Sequence, residues 1–311
     1  MLSAIKDGLA GTRRSYGLVF LLLGVNLGLA ACLAIPFSNQ MQKDLANTGS
    51  AESMMYGFDF SWWSQWSEKQ TGFAGNFGPD ILGTGFAFKN LDLLLRGHLP
   101  AGRFPQQAEE NGGRGDSSGP GLDPAILGLG LGYLLLQVFL TGGLLGVLRG
   151  DQGSWTWRSL LQGSGFYFGR LLRIAMLALL VGFILFRLNL PFARWADGHA
   201  REAVSEASAM AWTLGRHALL LLALLAVHMV STYAKVIVVL EERSSAILAL
   251  LSALSFCARN LLRAAGLYGL IALASVLLLA LWNTLDGAWT VTGYKTQILA
   301  LLLAQALVLG R

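Results

Sequence analysis

The chain has 311 residues, of which 54% are hydrophobic and only 13% are charged, whereas a soluble domain carries about 25% charged residues. Its mean hydropathy is +0.54 and its net charge is +5. The basic residues flank apolar runs and do not form the basic, aromatic-interleaved stripe that nucleic-acid binding requires. The composition therefore excludes an ordinary soluble domain and predicts membrane lipids, not nucleic acid, as partners.

Long uncharged runs recur along the chain. No Lys, Arg, Asp or Glu occurs in residues 15–42, 124–148, 217–234 or 264–285. Because backbone N–H and C=O groups in hydrocarbon must bond within the segment, such runs form helices. The pattern predicts an all-α fold, a polytopic transmembrane helix bundle of about six spans. The expected spans are Tyr16–Pro36, Pro124–Leu148, Leu171–Leu190, His217–Leu240, Ala264–Asn283 and a sixth from Tyr294 to the end.

Charge asymmetry predicts the orientation of the bundle. Three basic residues precede the first span, which places the N-terminus in the cytoplasm by the positive-inside rule. Loops 149–173 and 235–263 are then cytoplasmic and rich in Arg and Lys, whereas the outer loop 191–213 has an excess of acidic residues. The basic residues expected at the membrane interface are Arg149, Arg170, Arg173, Lys235, Arg259 and Arg263.

The first 32 residues also resemble an export signal. A charged start and an apolar core are followed by Leu-Ala-Ala-Cys at 29–32, which is similar to a lipoprotein cleavage box. The apolar run continues past Cys32 to Pro36, whereas mature lipoproteins begin with polar residues. A retained helix is therefore favoured over cleavage after residue 31.

These observations divide the chain into consecutive regions. The divisions are 1–36 (N-terminal region and first span), 37–123 (an extracytoplasmic cap rich in Trp and Phe, with a Gly-rich linker at 101–121), 124–190 (second and third spans with a cytoplasmic interfacial helix), 191–216 (outer loop), 217–283 (fourth and fifth spans with a second interfacial helix) and 284–311 (sixth span).

The cap region concentrates aromatic residues in two predicted short helices, 58–69 and 84–97. Trp62, Trp63 and Trp66 lie in the first of them, with few charges nearby. Trp rings favour membrane–water interfaces. They can pack onto the bundle as a lid, or they can form a docking surface for a partner or a lipid tail.

The second and third spans resemble the fourth and fifth. An aromatic residue followed by Leu-Leu-Arg begins each returning helix, at Phe166 with 171–173 and at Phe256 with 261–263. The offset between the copies is 90 residues. Both preceding stretches are amphipathic, which predicts short in-plane helices at the inner leaflet of a parallel repeat.

Two parts of the chain resemble other proteins. The first is the run Phe139-Leu-Thr-Gly-Gly-Leu-Leu-Gly-Val-Leu-Arg149 with Tyr167-Phe-Gly-Arg170, and the second is Tyr233-Ala-Lys-Val with Glu241-Glu-Arg-Ser244. Both resemble uncharacterised six-helix bacterial inner-membrane proteins. These are similar in layout to the membrane domain of glycerophosphoryl diester phosphodiesterases. The resemblance covers about 139–173 and 231–270. It implies a multi-pass location in a bacterial inner membrane and carries over no catalytic residue.

Candidate interaction and cofactor residues are few. Glycines on the second span form a ridge that another helix can approach closely, within the chain or from another subunit. This ridge consists of Gly128, Gly132, Gly142, Gly143 and Gly146. His228 lies within the fourth span, and one histidine suffices as the axial ligand of a chlorophyll-type pigment; a hydrogen-bonded bundle histidine is the simpler interpretation. Asn26, Gln137 and His228 are the polar groups nearest the membrane midplane.

The sequence contains none of the common catalytic motifs. No phosphate-binding glycine loop, Gly-x-Ser-x-Gly, His-Glu-x-x-His or cysteine pair at metal spacing occurs. We therefore expect no catalytic residue, no metal site and no cofactor other than bound lipid, with a pigment as the alternative. The leading hypothesis is a non-enzymatic accessory, scaffold or assembly subunit with a membrane-protein partner. The alternatives are a permease for a small or lipidic molecule and a pigment-binding or respiratory-complex accessory subunit.

Overall fold

The computed structural model of the chain describes residues 16–46, 48–50, 59–70, 124–150 and 156–286. The regular structure in these ranges is entirely α-helical, as predicted. The helices are α1 (Tyr16–Leu45), α2 (Phe60–Lys69), α3 (Pro124–Arg149), α4 (Trp157–Arg201), α5 (Glu206–Leu240), α6 (Ala246–Arg259) and α7 (Leu261–Asp286). The predicted helix 84–97, the Gly-rich linker and the sixth span lie outside the described residues.

Four of the described helices are long and apolar enough to cross a membrane: α1, α3 from Gly128 onward, α4 and α5. A fifth is counted if α6 and the first part of α7, Leu261–Leu277, are taken as one bent segment. The helical, membrane-compatible fold class is thereby confirmed, and the number of six spans stays a prediction.

Helix α4 differs from the prediction of an in-plane helix followed by a separate span. It is continuous over 45 residues, and at 1.5 Å per residue it extends about 67 Å, twice the roughly 30 Å hydrocarbon core. It begins at a capping box in which Thr156 and Ser159 bond reciprocally. Once started there, the helix meets no proline before Pro191, and isolated glycines weaken a packed helix without ending it.

The corresponding segment of the second repeat copy does break. Helix α6 starts at the N-cap Ser245 and ends at Asn260, and its axis is bent by 99° from that of Leu261–Leu277. Both the backbone N–H and the side-chain amide of Asn260 donate to the Phe256 carbonyl, which favours a helix end over continuation. A separate helix therefore exists here, and its in-plane placement in a membrane stays a prediction.

The chain divides into two compact units. The larger contains 134–273, and its core lies where α3, α4, α5 and α6 pack together. Helix α6 contributes small residues to this core, so its backbone approaches the larger helices closely. The fully or almost fully buried core residues include Leu171, Ile174, Ala234, Val238, Val239, Ala249 and Ala253.

Glycine packing sets the distance between α3 and α4. The Gly143 and Gly163 backbones are so close that a Cβ on Gly163 would lie 3.4 Å from Gly143 Cα. A Cβ on Gly143 would lie 2.3 Å from Ser164 Oγ and 2.6 Å from the Leu160 carbonyl oxygen. The Ser164 hydroxyl can rotate away, but the Leu160 carbonyl belongs to the backbone of α4. Only glycine fits at position 143 with α3 and α4 at this distance.

We expect Gly143→Ala to destabilise the protein by about 1–3 kcal/mol, because the added methyl group overpacks the α3–α4 contact. Thermal unfolding in detergent measures this as a lower Tm. The matched control is Gly169→Ala on α4, where a Cβ meets nothing within 4 Å and alanine favours the helix. Equal Tm values for the two variants would contradict this packing.

Candidate functional site

A cluster of charged and polar groups joins three helices where α3 and α5 end. Arg149, the last residue of α3, donates hydrogen bonds to Tyr167 Oη at 3.0 Å, to the Val239 carbonyl at 3.0 Å and to Glu242 Oε1 at 2.6 Å. The Val239 carbonyl is among the last four of α5, which have no partner within the helix. Arg149 therefore caps α5 from a neighbouring helix.

Arg170 of α4 completes this cluster. Its guanidinium donates to the Glu242 carbonyl at 3.1 Å and lies 4.7 Å from the centroid of the Phe166 ring. Glu242 has φ = 52°, a left-handed conformation that costs a side-chain-bearing residue free energy. We name the set Arg149, Tyr167, Arg170, Val239 and Glu242 the three-helix corner.

The corner continues into α6 through the next residue of the chain. Arg243 pairs with Glu241 and donates to Ser252 Oγ at 2.8 Å. The segment between α5 and α6 is thereby tied to both α4 and α6. The charged groups here are engaged in holding helices together, which is a structural use of charge.

The other predicted interface residues lie near this end without joining the corner's hydrogen bonds. Arg173, Arg259 and Arg263 are exposed, and Lys235 is half-buried on α5. Of the six basic residues predicted, the structure thus brings together Arg149 and Arg170. Glu242, their shared partner, was not among the predicted site residues, because its role depends on contacts from two other helices.

A third ion pair lies at the opposite end of α4 and α5. Arg216 bonds both carboxylate oxygens of Asp197, at 2.8 and 2.7 Å, and its side chain is 11% exposed. Trp195 and Trp212 pack edge to face beside it on the same two helices, with ring centroids 5.3 Å apart. This pair was not predicted, because 191–216 was expected to be an outer loop. The longer helices bring these residues into contact.

His228 lies on the exposed side of α5. The Tyr268 hydroxyl of α7 and His228 Nδ1 lie 2.5 Å apart, and their ring centroids are 5.7 Å apart. Tyr268 was not anticipated, because no spacing in the sequence links it to His228. The described part of the chain contains no group of three or more His, Cys, Asp or Glu residues that could hold a metal ion.

The three midplane polar residues are placed differently from one another. The Asn26 amide donates to the Leu22 carbonyl of its own helix at 2.9 Å. The backbone carbonyl of Gln137 accepts from the Thr141 hydroxyl at 2.6 Å, within the same helix. Asn26 belongs to the smaller compact unit, whereas Gln137 and His228 belong to the larger. The Asn26 contact is local to its own helix, and the permease alternative stays a hypothesis.

The glycine ridge predicted on α3 divides into two parts. Gly142, Gly143 and Gly146 face α4, at Gly163 and Tyr167, and are engaged inside the chain. No described residue lies within 4 Å of a Cβ added at Gly128 or Gly132. The ridge is therefore an intrachain contact at 142–146, and only its first part is open to another helix.

The three cap tryptophans are buried, at 9%, 4% and 5% exposure for Trp62, Trp63 and Trp66. Their rings pack on one another and on Phe37 of α1. Trp66 Nε1 donates to Asp44 Oδ2 at 2.6 Å. The three rings are thus packed within the smaller unit, and their role as a lid stays a prediction.

No protein-family model, curated protein or solved structure matches this chain. The function proposed below rests on the geometry of the described residues.

Two substitutions of Glu242 test whether its left-handed backbone conformation lowers the stability of the protein. Glu242→Gly removes the backbone strain, about 1 kcal/mol, and loses an exposed ion pair worth at most about 1 kcal/mol. Its Tm should stay near that of the unmodified protein. Glu242→Ala loses the ion pair and keeps the strain, so its Tm should be lower than that of Glu242→Gly. The reverse order, measured by thermal unfolding in detergent, would contradict the strained corner.

Proposed function

We propose that this protein is a non-enzymatic accessory or scaffold subunit of a complex in a bacterial inner membrane, with several spans and a cytoplasmic N-terminus. The observation that carries the proposal is the three-helix corner. Its Arg149, Arg170 and Glu242, which could otherwise act on a substrate, are used to cap and cross-link helices. A rigid bundle of this kind suits a supporting role.

The surface that suits a partner is one face of α4. Exposed apolar residues recur on it at helical spacing over more than three turns, interrupted by exposed Arg187, whose guanidinium lies 5.2 Å from the centroid of the Phe183 ring. These apolar residues are Met176, Leu179, Leu180, Phe183, Ile184 and Leu188. We place the partner on this face because the other predicted interaction residues, the cap tryptophans and the 142–146 glycines, are engaged within the chain. Lipid covers such a face in a monomer, and a partner helix covers it in a complex.

A photo-crosslinking amino acid at Phe183 in native membranes tests the proposal. We expect one protein adduct of defined mass, and the same protein in stoichiometric amount after extraction in mild detergent. Leu180→Trp, one turn away, should strongly reduce the adduct because the larger ring blocks helix packing. Leu222→Trp on α5, also at an exposed leucine, serves as the control. Lipid adducts alone, together with a monomeric protein, would overturn the proposal.

A second candidate, a pigment-binding accessory subunit, is favoured by the surroundings of His228. Its ring is exposed on α5, and Nδ1 is engaged by Tyr268. Metal-ligating histidines are commonly oriented through their other ring nitrogen in this way. Nε2 is then the nitrogen that would ligate the central metal ion of a tetrapyrrole.

Zinc protoporphyrin is the probe for this candidate. The purified protein should shift the absorption band of the porphyrin, and His228→Ala should abolish the shift. Tyr268→Phe should weaken binding because the imidazole loses its orienting partner. The matched control is His199→Ala, at an exposed histidine near the end of α4. An unchanged spectrum with the unmodified protein would eliminate the candidate.

A further inference from the structure

Helix α6 is apolar around most of its circumference but has two different faces. Ala246, Ala249, Ala253 and Cys257 form a buried face of small residues. The opposite face is exposed and large, with Ile247, Leu248, Leu251 and Leu254 each more than half exposed. Exposing a continuous apolar surface to water is unfavourable. This surface therefore indicates contact with a ligand or with a membrane.

An open groove of about 500 Å³ runs along this exposed face. Leu248, Leu251 and Phe256 form its apolar wall, Ser252 lies between them, and Ser255, Arg259 and Asn260 line its polar end at the end of the helix. Apolar lining with a few convergent polar groups is typical of a ligand site. The lining therefore fits a ligand that has an apolar chain at one end and a polar group at the other.

The charge at the polar end is positive. Arg259 and the neighbouring Arg263 are exposed, and residues 244–285 contain no Asp or Glu. An anion therefore meets no repulsion from an acidic residue of α6 or of α7 before Asp286, the last residue of that helix. The 99° bend after Asn260 sets the groove across the axis of Leu261–Leu277. A helix lying across a span places an amphipathic groove at the boundary between headgroups and acyl chains.

We propose that this groove is a binding site for one anionic phospholipid, with its headgroup at Arg259 and an acyl chain along Leu248, Leu251 and Phe256. The apolar wall distinguishes this ligand from a soluble anion, which would contact only the arginine end. The site goes beyond the proposed function, since it requires a membrane but no protein partner.

The experiment is a titration of the full-length detergent-purified protein, followed by native mass spectrometry. The probes are dioleoyl phosphatidylglycerol and dioleoyl phosphatidylcholine, which differ in headgroup charge. We expect preference for phosphatidylglycerol, a loss of about fivefold in its affinity with Arg259→Gln, and near-normal affinity with Arg259→Lys. Ser255→Trp, which fills the groove, should weaken binding of both lipids.

Arg194→Gln is the matched control, because it removes an exposed arginine from the far end of α4. Equal losses with Arg194→Gln and Arg259→Gln would show a general charge effect and overturn the site. Equal affinity for the two lipids would also overturn it. Glycerol 3-phosphate competing as well as the intact lipid would show a soluble-anion site instead.

Discussion

The close approach of α3 to α4 at Gly143 is the contact on which the larger unit depends. With no side chain at this position, the α3 backbone reaches the Leu160 carbonyl and Ser164 of α4. This distance brings Arg149, almost two turns later, within hydrogen-bonding reach of Tyr167 and of the last carbonyls of α5. The capped end of α5 then presents the Glu242 carbonyl to Arg170, and Arg243 continues the linkage to Ser252 of α6.

Charged side chains link helices to one another at both ends of the α4–α5 pair. One end carries the three-helix corner and the other carries Arg216 paired with Asp197. The pairs differ in accessibility, since the Arg216 side chain is 11% exposed and that of Arg149 is 35% exposed. The Arg216 pair is therefore less screened by solvent and contributes more specificity to the hairpin. Between the two linkages, the open face of α4 is apolar from Met176 to Ile184, and Arg187 lies over the ring of Phe183.

The two segments of the predicted repeat have different structures despite their similar sequences. Arg170 and Asn260 stand at equivalent positions, 90 residues apart. The Arg170 side chain reaches across to the Glu242 carbonyl, so the α4 backbone continues undisturbed. The Asn260 side chain is short and bonds to the Phe256 carbonyl of its own helix, where α6 ends. The resulting bend leaves the leucine face of α6 exposed beside two arginines.

Several features were determined by the sequence alone, because they depend on local chemistry. Uncharged runs predicted helices, and α1, α3, α4 and α5 are long and apolar enough to span a membrane. The glycines at 142–146 marked a position of close approach. Only the tertiary structure decided their partner, the burial of Trp62, Trp63 and Trp66, and the bonds from Arg149 to Val239 and Glu242. These contacts join residues up to 93 positions apart, and no periodicity within a helix encodes which distant helix will pack beside it.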